Sequence, residues 1–174
     1  MKNYTLLISC PRNQEKKAAS EIWYLLNSEF NDPQADCEIT EVSGLIAAIT
    51  SLDPFDVIQK IRKMIQEDPW QIRYALKLVP LEKVVSTSTE GIAEAAKDLA
   101  SKISKDEKFR INVNKRHTKI DRMTLIKAVA DVIDRKVDLG NPDKIVNIEI
   151  VGNWTGISIL NPDDVFSIAK ERQF

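Results

Sequence analysis

The stretch Phe109-Arg-Ile-Asn-Val-Asn-Lys-Arg-His117 alternates apolar with polar residues and then becomes basic. Because successive side chains of a β-strand point to opposite faces of a sheet, this alternation predicts a strand with one apolar and one polar face. The positive charges and hydrogen-bond donors that follow, from Lys115 to Lys119, are suited to contact phosphates. The alternative interpretation of this segment is an ordinary strand that leads into an ordinary solvated loop.

The charge of the chain is unevenly distributed around this stretch. The 174 residues include 25 Lys and Arg and 26 Asp and Glu, which gives a net charge of −1. Eleven of those basic and five of those acidic residues lie between Ser101 and Lys136, so that region carries +6 and the rest carries −7. We therefore expect one patch that meets nucleic acid on a chain that otherwise avoids it.

Composition and motifs narrow the possible functions. The chain is 43% hydrophobic and 29% charged, as in globular proteins, and no segment approaches the roughly 18 consecutive apolar residues of a membrane helix. The N-terminus is too short and too polar for a signal peptide, so we expect a cytoplasmic protein with no membrane partner. A single histidine, two cysteines and the lack of a nucleophile motif or glycine-rich phosphate loop predict no catalytic residue, no metal site and no cofactor.

The first 80 residues follow the order strand, helix, strand, strand, helix, strand. The predicted strands are residues 4–9, 37–42, 45–50 and 72–79, and the predicted helices are residues 14–27 and 54–67. This order is the ferredoxin-like pattern, in which helices cover one face of an antiparallel sheet. The third strand then lies between the first and the second, which run parallel to each other.

Four local expectations accompany this arrangement. Cys10 and Cys37 should lie at opposite ends of the sheet as two unpaired thiols. Asn13 is a candidate cap for the first helix, and Trp23 is expected in the core. Ser43-Gly44 is expected to link the second and third strands as a two-residue hairpin turn.

Residues 81–174 predict a second, α/β unit. Its expected elements are a helix at 88–103, the strand that starts at Phe109, a helix at 121–135 capped by Asp121, a turn at 137–142, a hairpin of strands 145–151 and 154–160, and a closing helix at 161–170. Strand, helix, strand predicts a right-handed crossover onto a parallel neighbour. The fold class is therefore α/β (α+β), with domains at 1–80 and 81–174.

The second unit resembles the THUMP domain, a module of RNA-modifying systems. Three blocks carry the resemblance: Asn114-Lys-Arg-His117 at the end of the Phe109 strand, the turn Val137-Asp-Leu-Gly-Asn-Pro142, and Ile148-Glu-Ile150 followed by Thr155-Gly-Ile-Ser-Ile159. The last block is especially similar to the THUMP proteins that assist tRNA cytidine acetylation. The likeness covers about residues 84–162, and a preceding ferredoxin-like unit also matches the layout of such proteins.

The resemblance implies binding to the acceptor end of tRNA. Most THUMP proteins carry a fused catalytic domain, whereas we expect none in this chain, which ends at Phe174. The relatives without one are adaptors that deliver tRNA to a separate RNA cytidine acetyltransferase, which makes N4-acetylcytidine. The expected function is a non-catalytic adaptor of this kind. The alternatives are the RNA-binding subunit of a split tRNA methyltransferase or thiolation enzyme, and a protein-interaction module that binds no RNA.

Eight residues are candidate RNA contacts. They are Arg110, Asn112, Asn114, Lys115, Arg116, His117, Lys119 and Arg122. Four of them are expected to contact phosphates through their charge: Lys115, Arg116, Lys119 and Arg122. Arg116 can in addition bind a phosphate through two parallel hydrogen bonds. His117 is a candidate to stack on a base or to bond a phosphate. The three on the polar face of the strand would contact backbone or 2′-hydroxyl groups, unless that face is buried.

Overall fold

A computed structural model describes residues 2–172, and the chain divides into two compact units. The first unit contains residues 4–81 and 164–172, and the second contains residues 82–163 together with residues 2 and 3. Among the helices of residues 2–172, none has both the length and the apolar content that crossing a membrane requires.

The first unit has the predicted ferredoxin-like order. Its elements are β1 (Leu6–Ser9), α1 (Glu15–Tyr24), β2 (Asp36–Ile39), β3 (Leu45–Ile49), α2 (Pro54–Glu67) and β4 (Lys77–Pro80), with a π-helical turn at Leu25–Glu29. β3 pairs antiparallel with both β1 and β2, so β1 and β2 run parallel on either side of it. Helix α2 begins as expected, because the Asp53 side chain accepts a hydrogen bond from the Phe55 N–H at 2.8 Å and Pro54 takes the first position.

The cysteine prediction is confirmed, since both thiols are free. Cys10 lies beside Gly44, whereas Cys37 pairs with Ala48 near the other end of β3. Burial of the Cys37 thiol is the main cause that raises its pKa to about 12, and the negative charges of Asp36 and Glu38 act in the same direction. This thiol is therefore protonated and unreactive at neutral pH.

Three local predictions in the first unit were wrong. Asn13 adopts a left-handed backbone with φ +68° and does not cap α1, which has no side-chain cap. Trp23 lies on the surface with 43% of its area exposed. The link between β2 and β3 is a five-residue loop at 40–44, closed by Gly44 at φ +76°, where any Cβ would meet the Cys10 carbonyl oxygen at 2.8 Å.

The strand predicted at 72–79 is shorter than expected. Residues 73–75 leave the ladder because their N–H groups donate to the carboxylate of Glu21 on α1, at distances from 2.6 to 3.3 Å. The β4 ladder therefore begins at Lys77. A side chain that collects several backbone donors replaces sheet pairing here, and strand periodicity does not reveal such a contact.

The second unit is a mixed sheet with two helices on one face. Its elements are β5 (Lys83–Ser86), α3 (Thr89–Leu99), β6 (Lys108–Arg116), α4 (Arg122–Asp131), β7 (Lys136–Val137), β8 (Lys144–Val151) and β9 (Trp154–Leu160), with a 3₁₀ turn at Ala100–Lys102. The strand order is β5-β9-β8-β6-β7. β6 runs parallel to β8, which confirms the predicted parallel crossover, and β8 pairs antiparallel with β9.

The C-terminal segment from residue 164 belongs to the first unit. The segment was predicted to lie in the second unit, at 81–174. In place of the closing helix expected at 161–170, the chain forms a 3₁₀ turn at Pro162–Asp164, the strand β10 (Phe166–Ser167) and the short helix α5 (Ile168–Glu171). β10 extends the first sheet by pairing with β4, which gives the order β10-β4-β1-β3-β2. The segment leaves the second unit because the Phe166 ring is fully buried in the first core, and the short strand β10 is enough to place it there.

Candidate nucleic-acid interface

The candidate site lies where β6 ends and the chain turns into α4. Phe109 and Val113 of β6 are buried against the helices, which fixes the strand in the sheet. Asp121 caps α4 by accepting the N–H and the hydroxyl of Thr124, at 2.9 and 2.8 Å, as the sequence predicts. These bonds lower the pKa of Asp121, and the charge of Lys115 lowers that pKa further.

The last two residues of β6 and the three residues that follow them expose three basic side chains. We call Lys115, Arg116, His117, Thr118 and Lys119 the basic loop. Its members Lys115, His117 and Lys119 are exposed, and within residues 2–172 their side chains form no hydrogen bond or ion pair. His117 has φ +55°, a left-handed conformation that is uncommon outside glycine and reverses the chain at this point. The three side chains are therefore available to a ligand in solvent.

Three other lysines of the second unit have acidic partners. Lys83 pairs with Asp98 at 2.6 Å, and Lys144 pairs with Glu107 at 2.7 Å. Lys102 pairs with Glu82. These three lysines are ion-paired, whereas Lys115, His117 and Lys119 form no ion pair within residues 2–172, and the charge of Lys115 acts on Asp121 only through space.

Arg122 is the first residue of α4, and it ties the helix back to the strand. Its guanidinium donates to the carbonyl oxygen of Val113 on β6. The bond fixes the two ends of the basic loop relative to each other. The guanidinium retains donors beyond this bond, and its charge adds to the positive end of the helix dipole.

The polar face of β6 is occupied by an internal network around Glu149. This carboxylate lies on β8 and is only 1% exposed. It accepts hydrogen bonds from the amides of Asn114 at 3.0 Å and Asn147 at 2.8 Å. The Asn112 amide donates to the Asn147 side-chain oxygen at 3.1 Å. The amides of Asn112 and Asn114 thus donate to side chains of the neighbouring strand.

Arg116 belongs to the same network. Its Nη2 contacts the Glu149 carboxylate at 3.0 Å, and its side chain is 27% exposed. Its Nη1 is buried and forms no hydrogen bond within the described residues. One exposed edge of a neutralised guanidinium is a weaker phosphate ligand than a free lysine. The last strand candidate, Arg110, donates to the carbonyl oxygen of Leu139 at 3.2 Å.

The turn at the other end of β6 is held by Asp138. Its carboxylate accepts the backbone N–H groups of Gly140 and Asn141, both at 3.0 Å. The bond from Asn141 is the largest cause that lowers the pKa of Asp138, and that from Gly140 and the charge of Lys108 act in the same direction. Asp138 thus organises the turn through its own backbone.

Sequence reasoning missed the role of Glu149, although a signal for it was present. In the buried strand Lys144–Val151, Asn147 and Glu149 are two residues apart among apolar neighbours. Two polar residues on one face of a buried strand imply partners on the next strand. Asn112 and Asn114 show the same spacing on β6 and supply those partners.

Residues 2–172 contain no group of three or more His, Cys, Asp or Glu side chains placed to hold a metal ion. The second unit is an α/β domain with helices on one face of its sheet, and the basic loop lies where β6 leads into α4.

Residues 86–160 match the sequence profile of the THUMP domain, and these residues are a THUMP domain. The match contains all three sequence blocks that carry the resemblance, and its bounds lie within two residues of the expected range 84–162, so the prediction of a THUMP domain is confirmed. The α/β fold class is confirmed as well.

Known proteins share the fold over nearly the whole chain. A protein of Pyrococcus horikoshii superposes with a TM-score of 0.69 over 92% of this chain and 55% of its own, at 17% identity. A 4-thiouridine synthetase in complex with RNA and ATP gives 0.56 over 91% and 41%, at 14% identity. An uncharacterized protein of Methanocaldococcus jannaschii is 27% identical over 123 residues, which are 67% of this chain and 34% of that protein. This chain thus spans about a third to a half of the length of these relatives.

Proposed function

We propose that this chain is a non-catalytic, cytoplasmic adaptor that binds the acceptor end of tRNA and presents it to a separate RNA cytidine acetyltransferase. The observation that carries the proposal is a THUMP domain whose basic loop has three exposed side chains that form no hydrogen bond or ion pair within residues 2–172. Phosphates supply the complementary charge, and RNA binding by basic loops of this kind is driven largely by that charge.

The geometry of the basic loop suggests a role for each of its exposed side chains in binding RNA. Lys115 and Lys119 contact phosphates as mobile point charges. His117, held between them by its left-handed backbone, reaches a base or a further phosphate. The acetyl group is transferred by the partner enzyme, so the residues of this chain position the RNA and take no part in bond making.

A second candidate is the RNA-binding subunit of a split methyltransferase or thiolation enzyme. The observation in its favour is the likeness in fold to a 4-thiouridine synthetase that was crystallised with RNA. Both candidates use the same tRNA contacts, and they differ only in the enzyme that receives the RNA.

Mass spectrometry of tRNA nucleosides from a deletion strain separates these candidates. We expect N4-acetylcytidine to disappear, and to return when the wild-type gene is restored. A gene with Lys115→Ala and Lys119→Ala should restore it poorly, whereas one with Lys97→Ala and Lys105→Ala should restore it fully. The control removes two exposed lysines of the same unit, one in α3 and one in the segment before β6.

Two results would contradict the proposal in different ways. Loss of a thiolated or methylated nucleoside with N4-acetylcytidine intact would favour the second candidate. An unchanged nucleoside profile, together with no tRNA on the purified protein, would indicate a protein-interaction module that binds no RNA.

A further inference from the structure

The first unit carries an apolar groove that the basic loop does not use. It lies between α1 and β2, has a volume of about 530 Å³, and is lined by Ala19, Ser20, Trp23, Tyr24 and Cys37. Trp23 and Tyr24 are 43% and 54% exposed. Two neighbouring exposed aromatic side chains beside a cavity are a common anchor point of protein interfaces.

The groove borders an open strand edge. β2 is the last strand of its sheet, and no other strand of residues 2–172 pairs with its outer side, whereas β10 covers the opposite edge of the sheet. The Thr40 N–H donates to the Leu45 carbonyl at 3.1 Å, which identifies the residues that face β3. Because antiparallel ladders alternate, the backbone groups of Cys37 and Ile39 face outward. The Cys37 N–H is satisfied by the Asp36 side chain at 2.9 Å, which agrees with that direction.

The two faces of β2 carry side chains of different chemistry, apolar on one face and acidic on the other. Cys37 lines the groove, and Ile39, two residues later on the same face, is 48% exposed. Asp36 and Glu38 alternate with them and point to the opposite face of the sheet. A strand that paired here would meet apolar groups on the α1 side and carboxylates on the other side.

The surrounding charge selects among possible occupants. Residues 18–59 contain eight Asp and Glu and no Lys, Arg or His. Glu41 follows β2 directly and is exposed. The basic residues that bound this segment in the sequence are Lys17, which lies over the Tyr74 ring at 5.7 Å, and Lys60, which lies over the Phe30 ring at 5.3 Å. This acidic edge repels an RNA backbone and also repels the identical edge of a second copy, but it attracts a basic peptide.

We propose that this groove binds an extended basic segment of a partner protein, which adds a strand to β2 and inserts apolar side chains against Trp23 and Tyr24. Main-chain bonds to the edge supply affinity, and alternation of apolar with basic residues supplies specificity. The proposal concerns the first unit and stands independently of RNA binding by the THUMP domain.

NMR titration of the whole chain tests the proposal with two capped eight-residue peptides. One alternates isoleucine with lysine, and its twin has glutamate in place of lysine. We expect the lysine peptide to shift the Ile39 amide and the Trp23 indole resonances and to slow hydrogen exchange at Ile39. The glutamate twin should bind about tenfold more weakly or not at all, because its charges face Asp36 and Glu38.

Variants locate the binding. Trp23→Glu should weaken the lysine peptide about tenfold, and Glu41→Lys, in an exposed loop, should weaken it about two- to threefold. Trp70→Ala, which removes an exposed tryptophan of the same unit outside the groove, should leave the affinity unchanged. Spectra of the unbound variants report whether each one is folded, and Glu41→Lys keeps the test valid if Trp23→Glu is not.

Four results would overturn the proposal. They are equal affinity for both peptides, no change at Ile39 with the lysine peptide, shifts of the Ile39 amide and the Trp23 indole resonances on addition of a single-stranded oligonucleotide without peptide, and concentration-dependent shifts at β2 in the chain alone. The third would reassign the groove to RNA, and the fourth to a second copy of this chain.

Discussion

The two sides of β6 use similar polar residues in opposite ways. The side chains of Asn114 and Arg116 point toward β8 and donate hydrogen bonds to the buried carboxylate of Glu149. Lys115 lies between them in the sequence, points to the other side and is exposed. Because neighbouring residues of a strand point to opposite faces, Arg116 is a structural cation whereas the adjacent Lys115 is exposed to solvent. Arg116 is held by an acid that is 33 residues away in the sequence, Glu149, whereas Lys115 forms no ion pair within residues 2–172 and is available to a ligand.

Removal of Glu149 should have the largest effect on this arrangement. Glu149→Ala leaves the guanidinium of Arg116 and two asparagine amides without their acceptor, so we expect the free energy of unfolding of the second unit to fall by about 3–5 kcal/mol. Urea unfolding measures this loss through Trp154, in a chain whose other two tryptophans are replaced by phenylalanine. Glu94→Ala, an exposed acid on α3, is the control and should change little. A loss below about 1 kcal/mol would show that the network does not hold the sheet together.

The neighbouring pair Arg116 and Lys115 should behave differently when each is truncated. Arg116→Ala should cost about 1–3 kcal/mol of unfolding free energy, less than loss of Glu149, because the asparagine amides still stabilise the carboxylate. Lys115→Ala should leave stability within about 0.5 kcal/mol, since that side chain is exposed and forms no hydrogen bond or ion pair within residues 2–172. Urea unfolding of both variants in parallel checks this. Equal losses would mean that the two side chains are not distinguished by the fold.

A second buried carboxylate, Asp32, sharpens the comparison because neutral groups hold it. Burial raises its pKa, but the bonds from the hydroxyls of Ser51 and Thr50 and from backbone N–H groups outweigh that effect and leave the pKa below its usual value. The stability that Asp32 contributes is therefore fully present above its unfolded pKa of about 3.9 and is lost as the pH falls through the lower folded value.

Asp32→Asn should abolish that acid sensitivity. We expect the variant to be less stable than the wild type at neutral pH by about 1–3 kcal/mol, and the difference to shrink as the pH falls below about 4. Urea unfolding of the first unit between pH 3 and pH 7 measures both. A difference that stays constant across that range would contradict the assigned hydrogen bonds.

Local sequence rules predicted much of the fold. The caps at Asp53 and Asp121 depend on residues close together in the chain. The order of the ferredoxin-like unit and the parallel pair of β6 and β8 follow from the order of elements that local periodicity identifies. The exposed cations of the basic loop were also among the candidate residues.

The remainder depended on contacts between distant residues. Glu149 engages the polar face of β6 from another strand, and Glu21 removes residues 73–75 from a predicted strand. Phe166 returns the C-terminal segment to the first core from 88 residues beyond Leu78, its partner on β4. No window of local sequence contains both members of such a contact, so periodicity could not find them.

The central claim, that the basic loop grips tRNA through phosphates, is tested most directly by the salt dependence of tRNA binding. The logarithm of the association constant should fall linearly with the logarithm of salt concentration, and Lys115→Ala with Lys119→Ala should reduce that slope by roughly two units. Lys97→Ala with Lys105→Ala, which removes the same charge elsewhere in the second unit, should leave the slope unchanged. Wild-type binding that is insensitive to salt, or equal slopes for the two double variants, would contradict the claim.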